Sequence, residues 1–150
     1  MDKNISSIVV VTSNVTLQKF YSDFLLFYQN LQELEKKDLI IFSPQPIMDY
    51  SPIKKIPADE VIVIHQKDFF PFNLFLKPSA SNTLKNRTFK IVVHFNPLQN
   101  LRNTYLISSV IPSKIKISDN FNHKKSSTII FPNSENFLGV ISNYLEKLVI

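Results

Sequence analysis

Glycine occurs once in these 150 residues, at Gly139, inside the last segment with helical spacing. A residue without Cβ is the one that turns freely to positive φ and lets backbone approach a phosphate closely. With a single glycine the chain holds no G-x-G-x-x-G dinucleotide loop, no P-loop and no G-x-S-x-G nucleophile elbow. Sites built on such loops are excluded, and what stays legible is mainly architecture.

That architecture is read from the spacing of apolar residues. Ile5–Thr12 is short, β-branched and almost continuously apolar, which predicts a buried strand. Ser13 or Asn14 is placed to cap a following helix. From Val15 to about Lys37, Leu17, Phe20, Tyr21, Phe24, Tyr28, Leu31 and Leu34 recur at helical spacing, with Lys36 and Lys37 in the expected last turn. Leu39–Ser43 predicts the second strand. Pro44, Pro46, Pro52 and Pro57 interrupt the next stretch and leave room only for a helical turn near Ile47–Lys54. Glu60–His65 predicts the third strand, residues 68–78 an irregular aromatic segment, and residues 79–88 a polar loop. Phe89–Phe95 predicts the fourth strand. Asn96-Pro97 then reads as the cap and first position of a helix to about Val110, with Leu98, Leu101 and Tyr105 facing inward. Lys114–Ser118 alternates like a strand at a sheet edge. Thr128–Phe131 predicts the sixth strand. Ser134 is the expected cap of a terminal helix with Phe137, Ile141, Tyr144, Leu145 and Leu148 inside.

Strands alternating with helices predict an α/β fold: a three-layer Rossmann-like sandwich with a mainly parallel sheet of five to six strands, in one domain over residues 1–150. By analogy with doubly wound sheets the strand order is 3-2-1-4-5-6. No apolar run reaches the ~20 residues that span a bilayer, and the short run Ile8–Val11 is too brief for a secretory signal. The chain contains no cysteine, which excludes disulfides and thiolate metal sites. The cytoplasm is the default location.

The net charge of +5 is unevenly placed. Residues 1–70 carry seven lysines against nine acidic residues, and residues 71–150 carry ten basic against three acidic ones. Lys77, Lys85, Arg87, Lys90, Lys114, Lys116, Lys124 and Lys125 form a basic set that reads either as solvated surface or as a nucleic-acid contact. Two of the seventeen basic residues are arginine, the type suited to bidentate phosphate contacts, and few aromatics interleave with the set. Phe69, Phe70, Phe72 and Phe75 form an aromatic cluster in a proline-broken stretch. It reads as a patch for a protein partner or as cover for one end of the core. His65 and His94 each end a predicted strand at the carboxyl edge, where open α/β sheets bind ligands. If their strands are neighbours the imidazoles approach each other, with Asp68 nearby, and acid–base chemistry becomes conceivable; the structural reading of each is a strand-end histidine. Thr12, Ser13 and Ser43 read as caps or as a residual small-anion site. No metal site and no cofactor is expected.

The element order resembles the N-terminal half of heptosyltransferase-type GT-B glycosyltransferases. The correspondence runs through Ala58-Asp59-Glu60-Val61-Ile62-Val63-Ile64, Phe89-Lys90-Ile91-Val92-Val93-His94-Phe95 and Ser113-Lys114-Ile115-Lys116-Ile117-Ser118, and covers roughly residues 5–118. The ending, Thr128-Ile129-Ile130-Phe131 and then Phe137-Leu138-Gly139-Val140-Ile141-Ser142-Asn143-Tyr144-Leu145, resembles small single-domain proteins of the Bacteroidota that look like a shortened version of that half-fold. Those enzymes place a glycine and an acidic base after the first strand, where this chain has Ser13-Asn14-Val15-Thr16, and they hold the nucleotide-sugar with a second domain. The expectation is therefore a module without enzymatic activity that binds a protein partner as a small subunit or adaptor. Two alternatives stand beside it. One is nucleic-acid or ribosome binding through the basic half. The other is a degenerate glycosyltransferase-like half-domain that binds a nucleotide or sugar phosphate.

Overall fold

The computed structural model describes residues 7–31, 34–98, 101–119, 129–130 and 136–149. Among the described residues six strands form one sheet: β1 (Ser7–Ser13), β2 (Lys36–Ser43), β3 (Glu60–His65), β4 (Phe89–His94), β5 (Ser113–Ser118) and β6 (Ile129–Ile130). Their order is β3-β2-β1-β4-β5-β6 and every pairing is parallel. The chain therefore reverses its direction of travel across the sheet between β1 and β4, as the doubly wound analogy predicts.

Helices cover both faces. Ile8, Val10, Leu39, Ile41, Ile91 and Val93 pack on one side with Leu17 of α1 (Asn14–Lys19), with Phe24, Phe27 and Tyr28 of α2 (Tyr21–Asn30), with Ile53 of α3 (Ser51–Lys54) and with Phe137, Ile141 and Leu145 of α6 (Phe137–Val149). On the other side Val9, Val11, Ile40, Phe42 and Val92 meet Leu84 of α4 (Pro78–Lys85) and Ile107 of α5 (Leu101–Val110). Strands buried on both faces carry apolar residues at nearly every position, which is why β1 and β2 read as continuous runs. Phe95, just past β4, stacks on Phe137 at 4.8 Å and meets Phe20 edge-on at 5.3 Å, joining three elements at the carboxyl end.

Several sequence expectations are corrected. The long helix over Val15–Lys37 is two helices joined at Phe20, whose φ of −106° and ψ of 29° break the regular turn. Lys36 and Lys37 belong to β2. There the Lys37 amide donates to Asp59 Oδ2 at 2.8 Å and its carbonyl accepts from the Asp59 amide at 2.7 Å, so sheet pairing overrides helical spacing. Residues 79–88 are largely helix α4, not loop: Pro78 occupies its first turn and Leu84 alone is buried, so a polar composition conceals the apolar face. Asn96 does not cap a helix at Pro97; α5 begins at Leu101, and Leu98 is exposed. β5 lies inside the sheet between β4 and β6 and is not an edge. The expectations for Thr128, Phe131 and Ser134 lie outside the described residues.

Candidate functional site

The point where the strand order reverses is floored by side chains that hold one another. Ser13 ends β1 and caps α1, accepting from the Thr16 amide at 3.2 Å. Its Oγ donates to Asn96 Oδ1 at 2.8 Å and lies 2.9 Å from Thr16 Oγ1, which donates to the same Oδ1 at 3.0 Å. Asn96 Nδ2 donates to Thr104 Oγ1 at 3.1 Å. Thr104 in turn lies 2.8 Å from His94 Nε2, and His94 Nδ1 lies 3.2 Å from Asp119 Oδ1. Asp119 Oδ2 accepts from the Asn96 amide at 3.2 Å.

One assignment of hydrogens satisfies the whole chain. A neutral His94 donates from Nδ1 to the carboxylate, Thr104 donates to Nε2, Asn96 donates to Thr104, and Ser13 and Thr16 both donate to Asn96. Carboxylate, imidazole and hydroxyl thus stand in the sequence of a hydroxyl-activating relay. The relay ends inside the protein, because Thr104, Asn96, Ser13 and Thr16 are fully buried. What it does is orient: it ties β1, β4, α1, α5 and the end of β5 together, with the half-buried Asp119 as its last member. The sequence offered one unused signal for it, namely that Asn96 and Asp119, like Ser13, fall at or just beyond the carboxyl end of a strand.

The expected pairing of His65 with His94 does not occur. β2 and β1 lie between their strands, a separation of roughly 14 Å at the usual strand spacing. His65 is held locally: its amide donates to Asp68 Oδ2 at 2.9 Å and its Nδ1 donates to the Ser43 carbonyl at 3.0 Å. Among the described residues no group of three or more His, Cys, Asp or Glu side chains is placed to hold a metal ion. No described helix is long and apolar enough to cross a membrane.

The aromatic cluster divides. Phe69 is buried, with its ring edge-on to Phe42 at 5.6 Å, because it faces the sheet from the first position after a 3-10 turn. Phe70, Phe72 and Phe75 are exposed. The basic set is dispersed. Lys77 and Lys85 lie at opposite ends of α4. Arg87 is engaged by Glu60 through two hydrogen bonds of 2.6 and 3.0 Å, which hold the glutamate below its ordinary range and raise the guanidinium. Lys116 Nζ donates to the Ser108 and Ser109 carbonyls at the end of α5, and burial lowers its pKa. Lys90 is half-buried on β4 and Lys114 exposed on β5. Lys124 and Lys125 lie outside the described residues.

With this geometry in hand, the chain is similar to a solved glycosyl transferase of family 9 from Veillonella parvula DSM 2008. The TM-score is 0.62 and the identity 19%, over 99% of this chain and 43% of that one. No protein-family model matches the chain, and comparison with curated proteins finds no match. The chain thus has the fold of half of a heptosyltransferase-type glycosyltransferase and spans less than half the length of that structure. The expectation of a module without enzymatic activity is corrected on this finding: the scaffold is an enzyme-type one.

Proposed function

We propose that this chain is a glycosyltransferase-like half-domain that binds a sugar phosphate or nucleotide-sugar at the carboxyl edge of its sheet, in the crevice between β1 and β4. The observation that carries this reading is the buried network beneath that crevice. Six side chains from five parts of the fold are locked there, and Asp119, at the carboxyl end of β5, is the member we assign to accept from ligand hydroxyls. A site held rigid by its supporting hydrogen bonds loses little entropy when a ligand arrives. The likeness to a family 9 glycosyl transferase supports the same location, since open α/β sheets take ligands where the strand order reverses. Phosphate recognition through a glycine loop is unavailable to this chain, so affinity rests on the sugar hydroxyls and on backbone amides.

Thermal denaturation against a panel of nucleotide-sugars and sugar phosphates tests the reading. A ligand present at about 100 times its Kd adds about 2.7 kcal/mol to stability, and Asp119→Asn should reduce the shift. A flat panel at millimolar ligand, for the native chain as for the variant, would remove the proposal.

A further inference from the structure

A recess opens at the amino end of the sheet, on the side covered by α4. Side chains alternate along a strand, so Lys36 and Asp38 project from β2 to the same face as Ile40 and Phe42. Glu60, the register partner of Asp38 on β3, is clasped by Arg87 from just beyond α4. Between these strand starts and the last turn of α4 lies an open space of about 790 Å³. Every residue that lines it is polar or charged, Ser7, Glu35, Lys36, Thr83, Asn86 and Arg87 among them.

Asp38 lies beneath Lys36. It is fully buried, and neither carboxylate oxygen has a hydrogen-bond partner among the described residues. The Lys36 ammonium stands 3.7 Å from Oδ2, beyond hydrogen-bond range, and lies over the Phe89 ring at 5.3 Å. A buried carboxylate without donors costs several kcal/mol. A residue that binds a charged group carries this cost while the site is empty, and the fold is less stable for it.

The surroundings select the sign of the ligand. The charge of Arg87 is matched by Glu60 through two hydrogen bonds. Glu35 is exposed at the rim. The carbonyl end of α4 reaches the recess at Asn86, its C-cap, and that end of a helix favours cations. Among the described residues no three His, Cys, Asp or Glu side chains are placed to hold a metal ion, so the fitting cation is an organic one.

We propose that this recess binds a compact organic cation, an alkylammonium or alkylguanidinium group, which displaces the Lys36 ammonium and donates hydrogen bonds to the Asp38 carboxylate. Lys36 is half-exposed and flexible, so its ammonium can turn to solvent. The exchange is favourable because the ligand makes charge-assisted hydrogen bonds that Lys36 at 3.7 Å does not. A guanidinium, with two parallel donors, matches the two unpartnered oxygens best. The recess shares no residue with the β1–β4 crevice, so this site is independent of the sugar-ligand site.

Titration of the isotopically labelled full chain with butylguanidinium, butylammonium and neutral butanol tests it, at about pH 7 where both cations are charged. Both cations should perturb the amides of residues 36–38 and 86–88, with dissociation constants near or below about 1 mM and butylguanidinium the tighter of the two. Butanol should leave those amides in place. Asp38→Asn keeps the shape and should weaken both cations at least tenfold, with the fold intact by circular dichroism. Lys36→Met removes the ammonium that the ligand displaces and should tighten binding severalfold. No perturbation at about 20 mM of either cation overturns the proposal. So does butanol that binds as well as the cations, binding indifferent to Asp38→Asn, or a Lys36→Met chain that binds more weakly than the native one.

Discussion

At the carboxyl end of the sheet, Ser13, Thr16, His94, Asn96 and Thr104 are buried and hydrogen-bonded to one another. At the amino end, Asp38 is equally buried, yet neither of its carboxylate oxygens has a hydrogen-bond partner among the described residues. Its nearest compensation is the Lys36 ammonium at 3.7 Å, while Glu60 and Asp59 add repulsion and Arg87 a further attraction. Burial raises the pKa of Asp38, and the Lys36 charge offsets this only in part. One end of the sheet thus gains definition from its polar groups, and the other tolerates one that opposes folding. A buried polar side chain helps only when its partners arrive with it.

The largest effect that sharpens this contrast is expected at Asn96. Asn96→Ala removes the partner that the Ser13, Thr16 and Thr104 hydroxyls share and should lower the unfolding free energy by about 3 kcal/mol in urea. A loss below about 0.5 kcal/mol would mean that the network is not the clamp described. Thr104→Val preserves shape, removes the link between His94 and Asn96, and should cost about 1.5 kcal/mol. Combined with Asn96→Ala, its effect should be strongly less than additive, which a double-mutant cycle reads directly.

At the other end the sign reverses. Asp38→Asn should raise stability at neutral pH by about 1 kcal/mol, because an ionised carboxylate no longer has to be buried. A carboxyl whose pKa is higher folded than unfolded favours the folded state fully below the unfolded pKa. That contribution is lost as pH rises through the folded value. The advantage of the variant should therefore vanish in acid, below about pH 4, and grow towards neutrality. Equal stability of variant and native chain at pH 7 would show that Asp38 is compensated after all. The smallest effect concerns the backbone at the same residue. The Tyr28 hydroxyl, fully buried, donates to the Asp38 carbonyl at 2.5 Å, and Tyr28→Phe should cost about 0.5–1 kcal/mol by thermal unfolding.

Much of the fold was legible because a doubly covered parallel sheet writes itself as short apolar runs. Ile8–Val11, Leu39–Phe42 and Ile91–Val93 announced three central strands. The misread segments are those where partners distant in sequence decide. Lys36 and Lys37 look like a helix end until Asp59 is beside them. The polar run after Pro78 looks like a loop until Leu84 has a sheet to face. The candidate site was legible only in part. Ser13 and His94 stood out as strand ends, but Thr16, Thr104 and Asp119 gain meaning only through contacts across as many as 80 positions. Phe69 and Phe70 are neighbours of one type with opposite fates, which composition cannot separate.

The most direct test of the proposed site is a titration of the isotopically labelled chain with a nucleotide-sugar and with a sugar phosphate, followed by amide resonances. Perturbations should concentrate at residues 13–16, 96–98 and 119, with the amino-end residues 36–38 and 86–88 left in place. Shifts confined to that amino end, or none at saturating ligand, would contradict binding where the strand order reverses.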